Sequence, residues 1–290
     1  MRLAFLGTPD AAVPTLEALV GAGHDVAIVI TRPDRRRGRG GELSPSPVKN
    51  AALALGLAVG HSLGLLEGLD CERGVVVAYG AIIPTSVLDH LSMLNVHFSL
   101  LPRWRGAAPV ERAILAGDER TGVCVMSIEP TLDTGPVYAS VATDVGEKTA
   151  TELTGELATK GAALLLDVLA SSDLLEQPVE QKGEATYAKK LTSDDYRITP
   201  DMSVHQIARV VRLERAYCFL GARRFLVVRG RVSPVSASPG TLSLRDGEVL
   251  LHAIDGSFVL DEVQIEGSRR MRAMAWWSGA RLDPSVLVWS

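Results

Sequence analysis

Short apolar runs alternate with helical stripes through the first part of the chain. Residues 3–6, 26–30, 75–77, 94–98 and 123–128 are runs dominated by Val, Ile, Leu and Phe, and between several of them residues 13–20, 47–55 and 110–115 place apolar side chains at helical spacing. Strands that alternate with helices predict right-handed βαβ units and a mostly parallel sheet. The pattern changes after about Lys190. Residues 204–211 read as a helix, and the remainder breaks into short strands at 225–228, 241–244, 249–253 and 258–265, with turns at Gly230, Gly240, Asp246-Gly247 and Asp255-Gly256. The expected organisation is an α/β domain over residues 1–188, a linker at 189–203 within the polar stretch that begins near Gln177, and a small β-rich domain over 204–290. No internal repeat or low-complexity tract breaks this order.

Composition agrees with that division. At 290 residues and 47% hydrophobic, the chain can bury two cores. Its three scattered cysteines, Cys71, Cys124 and Cys218, give neither a disulfide framework nor a metal spacing. The opening Met1-Arg2 is followed by only four apolar residues before Gly7-Thr8-Pro9-Asp10, too few for a signal peptide, and no run approaches membrane-spanning length. The cytoplasm is the expected location. A net charge of −4 argues against a general nucleic-acid binder, but the charge is unevenly spread. Residues 181–290 hold 16 Lys and Arg against 12 Asp and Glu, a balance of +4, whereas residues 1–180 carry a balance of −8. That asymmetry suits either a phosphate backbone lying on the second domain or a solvated surface.

The chemistry concentrates where the strand at 94–98 runs into a Pro- and Gly-punctuated turn before a helix starting near Ala107. Ligands of open α/β sheets bind beyond the carboxyl ends of parallel strands, and strand side chains alternate, so Asn95 and His97 face the same way at a crevice. An Asn amide can donate to a developing oxyanion, and a His can donate or move a proton. Asp133, in the Asp-Thr-Gly turn after the strand at 123–128, is the carboxylate that would fix the His tautomer and raise its basicity. Each has an ordinary structural reading too: a turn-capping Asn, a satisfied core His, a common Asp-Thr-Gly turn. A second cluster is Arg35-Arg36-Arg37-Gly38-Arg39-Gly40-Gly41, suited to phosphate contact or to a solvated basic loop. Gly7 follows the first strand as in a dinucleotide fingerprint, but the second and third glycines are missing and Pro9 removes an N–H, so NAD is not expected. No P-loop and no metal-ligand spacing occurs. Trp276-Trp277 suits base stacking or a core position.

In this order, the polar pair Asn95 and His97, Ser99-Leu100-Leu101-Pro102, Arg103-Trp104-Arg105-Gly106 and Leu132-Asp133-Thr134-Gly135 resemble the folate-dependent formyltransferases, above all those acting on methionyl-tRNA. So do Phe5-Leu6-Gly7-Thr8-Pro9-Asp10, Thr31-Arg32-Pro33-Asp34, Gly38-Arg39-Gly40, Ser46-Pro47-Val48-Lys49 and Ala78-Tyr79-Gly80-Ala81-Ile82-Ile83-Pro84. Later segments, Ala185-Thr186-Tyr187-Ala188, Lys190-Leu191-Thr192, and Glu262-Val263-Gln264 through Gly267 to Arg270-Met271, extend the resemblance over nearly the whole chain.

The resemblance implies a Rossmann-like formyltransferase domain followed by an OB-like β-barrel that binds tRNA. It implies transfer of a formyl group from 10-formyltetrahydrofolate, without a metal, to the α-amine of methionyl initiator tRNA for translation initiation. Asn95 and His97 would stabilise the oxyanion, and Asp133 would orient His97 and help move protons. Tyr79, Gly80, Ile82, Ser99, Leu100, Leu101 and Pro102 would line the folate pocket. Arg36, Arg37 and Arg39 would lie on a loop reaching the tRNA acceptor end, with Arg39 reading it. The partners implied are initiator methionyl-tRNA and tetrahydrofolate, with no membrane and no obligate protein partner. Two departures bear on the tRNA side: Gly41-Glu42 stands where the family commonly has lysines, and residues 214–222 lack the two prolines and the Trp of the family's turn. A formyltransferase of an amino sugar or another small amine, and a non-catalytic folate- or RNA-binding protein, remain as alternatives. The arginine loop and the basic second domain favour tRNA over the first, and intact Asn95, His97 and Asp133 favour an enzyme over the second.

Overall fold

The computed structural model describes residues 1–37, 41–280 and 288–290. β1 (Arg2–Gly7), α1 (Val13–Gly21) and β2 (Asp25–Ile30) form the opening βαβ unit. A hairpin of β3 (Arg35–Arg37) and β4 (Glu42–Ser44) leads to α2 (Pro47–Ala54) and β5 (Val59–Gly60). There follow β6 (Arg73–Val77), α3 (Thr85–Leu88), β7 (Met93–His97), β8 (Arg105–Gly106), α4 (Pro109–Ala116), β9 (Arg120–Ser127), β10 (Val137–Asp144), α5 (Ala150–Ala170), α6 (Ser172–Glu176) and β11 (Tyr187–Ala188). The main sheet has the order β10-β9-β7-β6-β1-β2-β5. Its strands are parallel from β5 to β7, and β9 lies antiparallel beside β7. The mostly parallel α/β domain is therefore as expected from the sequence.

Leu3, Ala4, Phe5 and Leu6 of β1 are all fully buried, as a central parallel strand covered on both faces requires. α5, which periodicity did not single out, approaches the sheet through Gly161. A Cβ there would stand 2.6 Å from Val96 Cγ1 and 3.0 Å from Val123 Cγ2. The missing side chain lets the helix settle on one face of β7 and β9. Val96 is thereby committed to packing, which leaves Asn95 and His97 on the opposite face.

The chain divides into two compact units, one of Met1–Val110, Glu119–Asp144 and Glu152–Lys189, the other of Glu111–Asp118, Val145–Thr151 and Lys190–Ser290. In the second unit, Ile198 is fully buried and its N–H donates to Tyr217 O at 2.8 Å, so part of the segment 189–203 joins that core. α7 (Val204–Val211) spans the residues its periodicity marks, opened by a capping box between Ser203 and Gln206. β12 (Tyr217–Leu220), β13 (Arg223–Ser233), β14 (Leu242–Arg245), β15 (Glu248–His252), β16 (Ser257–Ile265), β17 (Met271–Arg272) and α8 (Ala273–Gly279) complete the described elements. The antiparallel sheet runs β12-β13-β16-β15-β14, with β17 on β16. Gly230, expected in a turn, instead lies inside β13 at a register shift. A Cβ there would stand 2.2 Å from Val259 O, so the strand bends where only glycine fits.

The two edges of this sheet are joined by the last residues of the chain. Trp289 bridges Leu220 beside β12, and Val288 bridges Thr241 ahead of β14. Ser290 exchanges both backbone hydrogen bonds with Phe219, at 2.7 and 3.0 Å. These bridges tie the two edge strands of the antiparallel half-barrel to each other at one end. Trp289 is 1% exposed and its indole N–H donates to His252 O at 3.2 Å. The His252 ring is itself buried between two hydroxyls, Ser243 at 2.8 Å from Nε2 and Ser257 at 2.6 Å from Nδ1. Ser257 donates its own proton to Val235 O, so Nδ1 carries the ring hydrogen and Nε2 accepts from Ser243.

Burial lowers the His252 pKa below its ordinary value of 6.5. The unfolded chain therefore binds the extra proton first, and the stability contributed by the neutral ring is full above about pH 6.5 and falls as pH drops toward the folded-state value. Urea unfolding of the second unit is expected to show a decline in midpoint below pH 6.5 that is flattened in His252→Gln. An unchanged acid slope in that variant would contradict the neutral-ring arrangement.

Candidate active site

Asn95 and His97 project from the carboxyl-terminal half of β7, as alternation predicts. Among the described residues none hydrogen-bonds the Asn95 side chain, which is half-buried and leaves its amide available to a ligand. His97 is 6% exposed, and its Nε2 lies 3.0 Å from Trp104 O. A carbonyl oxygen only accepts, so this contact assigns the hydrogen of the neutral ring to Nε2. Nδ1 is left facing Asp133 Oδ2 at 3.7 Å, beyond hydrogen-bond distance. The sequence reading gave Asp133 the task of fixing the tautomer. The structure gives that task to the Trp104 carbonyl and leaves Asp133 as a charge held close to Nδ1.

The carboxylate is held from behind. Asp133 Oδ2 accepts from the Gly106 N–H at 2.7 Å. Three backbone positions of left-handed conformation bring these groups together: Trp104 at φ 62°, Gly106 at φ 120° and Asp133 at φ 51°. At Gly106 a Cβ would stand 2.8 Å from Ala188 O. That crowding comes from β11, which pairs with β8 in parallel. Arg105 N–H donates to Thr186 O at 2.8 Å, Ala107 N–H to Ala188 O at 2.9 Å, and Trp104 N–H to Thr186 Oγ1 at 2.9 Å. The Ala185-Thr186-Tyr187-Ala188 segment is thus a splint for the turn that carries Trp104 O and Gly106 N–H.

Gln181 joins the same assembly from outside the motifs. Its Nε2 donates to Asp133 O at 2.9 Å and to Gly135 O at 2.8 Å, and its Oε1 accepts from Arg105 Nε at 3.1 Å and Nη2 at 2.7 Å. Neither Gln181 nor the Trp104 carbonyl was found from the sequence. A glutamine in a polar stretch and a peptide carbonyl leave no signature in spacing.

The residues expected around folate fall into separate places. Tyr79 is buried and Gly80 has φ 79° on the loop after β6. Both line a cleft of about 230 Å³ beyond the carboxyl ends of β1, β2 and β6, together with Thr8, Arg32, Arg35 and Ser46. Ile82 stands 86% exposed and does not line this cleft. Ser99 is fully buried with its hydroxyl donating to Arg103 O at 2.6 Å, so it fixes the turn after β7. Leu100 leans toward Gly122, where a Cβ would meet its Cδ2 at 2.5 Å, and Leu101 and Pro102 are half-buried along the same turn.

The arginine segment begins as the β3 and β4 hairpin. Thr31 and Ser46 share a hydroxyl hydrogen bond of 2.7 Å at its base, Ser46 caps α2, and Lys49 Nζ bridges both Asp34 oxygens at 2.9 and 2.8 Å. The Thr-Arg-Pro-Asp and Ser-Pro-Val-Lys motifs are the clasp of this hairpin. Arg36 is exposed on it. The backbone of Arg37 pairs with Glu42, while its side chain and all of Arg39 lie outside the described residues. Trp276 is a core residue of the second unit, and Trp277 is partly buried beside it.

Burial pushes the thiols of Cys124 and Cys218 up to about 11 and about 12, so neither is a thiolate near neutrality. Among the described residues no group of three or more His, Cys, Asp and Glu is placed to hold a metal ion, and no helix is long and apolar enough to cross a membrane.

A free amide and an imidazole backed by a carboxylate, at the carboxyl end of a parallel strand, fit an acyl-transfer centre. Residues 1–169 match the formyl transferase family and residues 190–281 match the formyl transferase C-terminal domain. The methionyl-tRNA formyltransferase of Roseobacter denitrificans is 42% identical over 99% of this chain and 98% of its own length, and that of Novosphingobium aromaticivorans is 48% identical over 83% and 84%. The solved methionyl-tRNA formyltransferase of Clostridium thermocellum shares the fold with a TM-score of 0.58 at 15% identity, covering 91% of this chain and 98% of that one. The chain belongs to the methionyl-tRNA formyltransferase family.

Two glycines separate the demands of this site from ordinary turn geometry. Gly80→Ala meets no atom within 4 Å and carries only the left-handed penalty, about 1–2 kcal/mol. Gly106→Ala adds the collision with Ala188 O, so its loss in urea unfolding is expected to exceed that of Gly80→Ala by at least about 1 kcal/mol. Equal losses would contradict the close β8 and β11 approach.

Proposed function

We propose that this chain transfers the formyl group of 10-formyltetrahydrofolate to the α-amine of methionine esterified to initiator tRNA, in the cytoplasm, for translation initiation. The observation that carries the reading is the grouping of Asn95, His97 and Asp133, with His97 Nδ1 and Asp133 Oδ2 3.7 Å apart, in a chain 42% identical over 99% of its length to a methionyl-tRNA formyltransferase.

The reaction forms a bond between the amine nitrogen and the formyl carbon and breaks the bond from that carbon to N10 of the folate. One proton leaves the amine and one reaches N10. Asn95 donates an amide N–H to the oxyanion that develops on the formyl oxygen. His97 takes the amine proton on Nδ1, the ring nitrogen left bare by the Trp104 contact. Asp133 balances the imidazolium charge that results, and the pair returns the proton to N10 as it leaves. The imidazolium also adds its charge to the stabilisation of the oxyanion.

On the donor side, Tyr79, Gly80 and Ile82 with Leu100, Leu101 and Pro102 form the folate pocket, where backbone groups at Gly80 and Leu101 meet the polar edge of the pterin and apolar side chains its faces, and the fully buried Ser99 acts behind them by fixing the turn through Arg103 O. On the acceptor side, Arg36, Arg37 and Arg39 meet the end of the tRNA. Arg32 and Arg35 in the cleft wall add positive charge that suits an acceptor bearing phosphate. The second unit binds the body of the tRNA. Its surplus of positive charge supports this.

Single-turnover transfer from labelled 10-formyltetrahydrofolate tests the reading. Methionyl initiator tRNA is expected to take the label far faster than a panel of amino sugars. Asn95→Ala is expected to lower the rate about 10²- to 10³-fold, and His97→Ala and Asp133→Ala about 10²- to 10⁴-fold. Near wild-type rates in the last two variants, or label on sugars in preference to tRNA, would overturn it.

A further inference from the structure

We infer that Gln181 is a positioning residue for the Asp133 carboxylate, acting through the backbone of the turn that carries it. The inference rests on the catalytic reading of Asp133 given above.

The Gln181 amide is fully used. Both donor hydrogens go to carbonyls of one turn, Asp133 O and Gly135 O, and the oxygen receives two N–H groups of Arg105. Arg105 precedes Gly106, whose N–H is the group that holds Asp133 Oδ2. A single side chain therefore fastens together the two backbone segments that meet at the carboxylate, one through its carbonyls and the other through its guanidinium. The clamp is itself anchored: Val179 exchanges both backbone hydrogen bonds with Val137 at 2.8 Å, which ties the segment carrying Gln181 to the start of β10.

The turn needs such a clamp. Asp133 sits at φ 51°, a conformation that costs free energy in a non-glycine residue and persists only where its surroundings impose it. Gly135 is wedged so closely that a Cβ would stand 2.1 Å from Ser127 O, which fixes the far end of the turn. Between these points the carbonyls of Asp133 and Gly135 both turn toward Gln181, and an Nε2 with two hydrogens satisfies them at once. A carboxylate cannot do so, because its two oxygens only accept. Glutamate at this position would keep the Arg105 contact, fill the same volume and face both carbonyls with a repelling oxygen.

The test uses the full-length enzyme under single-turnover conditions, with bound folate and tRNA measured separately and folding checked by thermal unfolding. Gln181→Ala is expected to lower the rate of formyl transfer about 10- to 100-fold, the size of a misplacement near 1 Å, with folate and tRNA affinities within about threefold of wild type. Gln181→Glu is expected to fail equally. When Gln181→Ala is added to Asp133→Ala, the further loss is expected to stay under about twofold, since there is no carboxylate left to position. A wild-type rate in Gln181→Glu would reduce the residue to a space filler and overturn the inference. A full multiplicative loss in the double variant would overturn it as well. A wild-type rate in Asp133→Ala alone would instead overturn the catalytic reading beneath it.

Discussion

One peptide carbonyl fixes the geometry on which the proposed chemistry of this chain depends. By accepting from His97 Nε2, Trp104 O keeps the imidazole in the tautomer whose Nδ1 is bare and turned toward Asp133. Much of the local structure can be understood as the means of holding that carbonyl and that carboxylate on either side of one ring. Trp104, Gly106 and Asp133 all adopt left-handed backbone conformations, which in the two non-glycine residues cost free energy and persist only where their surroundings impose them. They are held by β11 on one side and by Gln181 on the other, so strain at the centre is offset by ordinary backbone hydrogen bonds around it.

The same logic extends outward through the first unit. Gly161 lets α5 settle against Val96, which fixes the face of β7 that presents Asn95 and His97. β6 and β7 are neighbours in the parallel sheet, so the Tyr79 loop and the pair Asn95 and His97 emerge at the same end of it. The β3 and β4 hairpin, clasped by Lys49 with Asp34 and by Thr31 with Ser46, emerges beyond β2 on that end as well. The second unit solves a different problem: Trp289 and its neighbours link the two edges of an antiparallel sheet, with His252 buried beneath them.

What the sequence disclosed follows from which forces act locally. The parallel strands were legible because burial on both faces makes them continuous apolar runs, and α7 because its apolar stripe and Ser203 cap coincide. α5 was missed because Ala158, Gly161 and Ala162 interrupt the buried stripe of Leu153, Leu157, Leu165, Val168 and Leu169, and small residues give little apolar contrast. The pairing of residues 288–290 with two distant strands, and the bulge at Gly230, depend on tertiary contacts that periodicity does not encode. In the site, alternation alone put Asn95 and His97 on one face, and the order of motifs named Asp133. The groups that aim them were hidden: a backbone carbonyl at Trp104, a backbone N–H at Gly106 and a glutamine amide. Backbone groups are common to every residue, so their roles surface only when the chain is folded.

The central claim is that His97 keeps Nδ1 free to take a proton beside Asp133. Nitrogen-15 NMR of imidazole-labelled protein, with the His97 signals assigned by loss in His97→Gln, measures it directly. The account predicts that the neutral ring carries its hydrogen on Nε2, and that Asp133→Asn moves the Nδ1 signal far more than the Nε2 signal. A neutral ring protonated on Nδ1, with Nε2 bare, would contradict it.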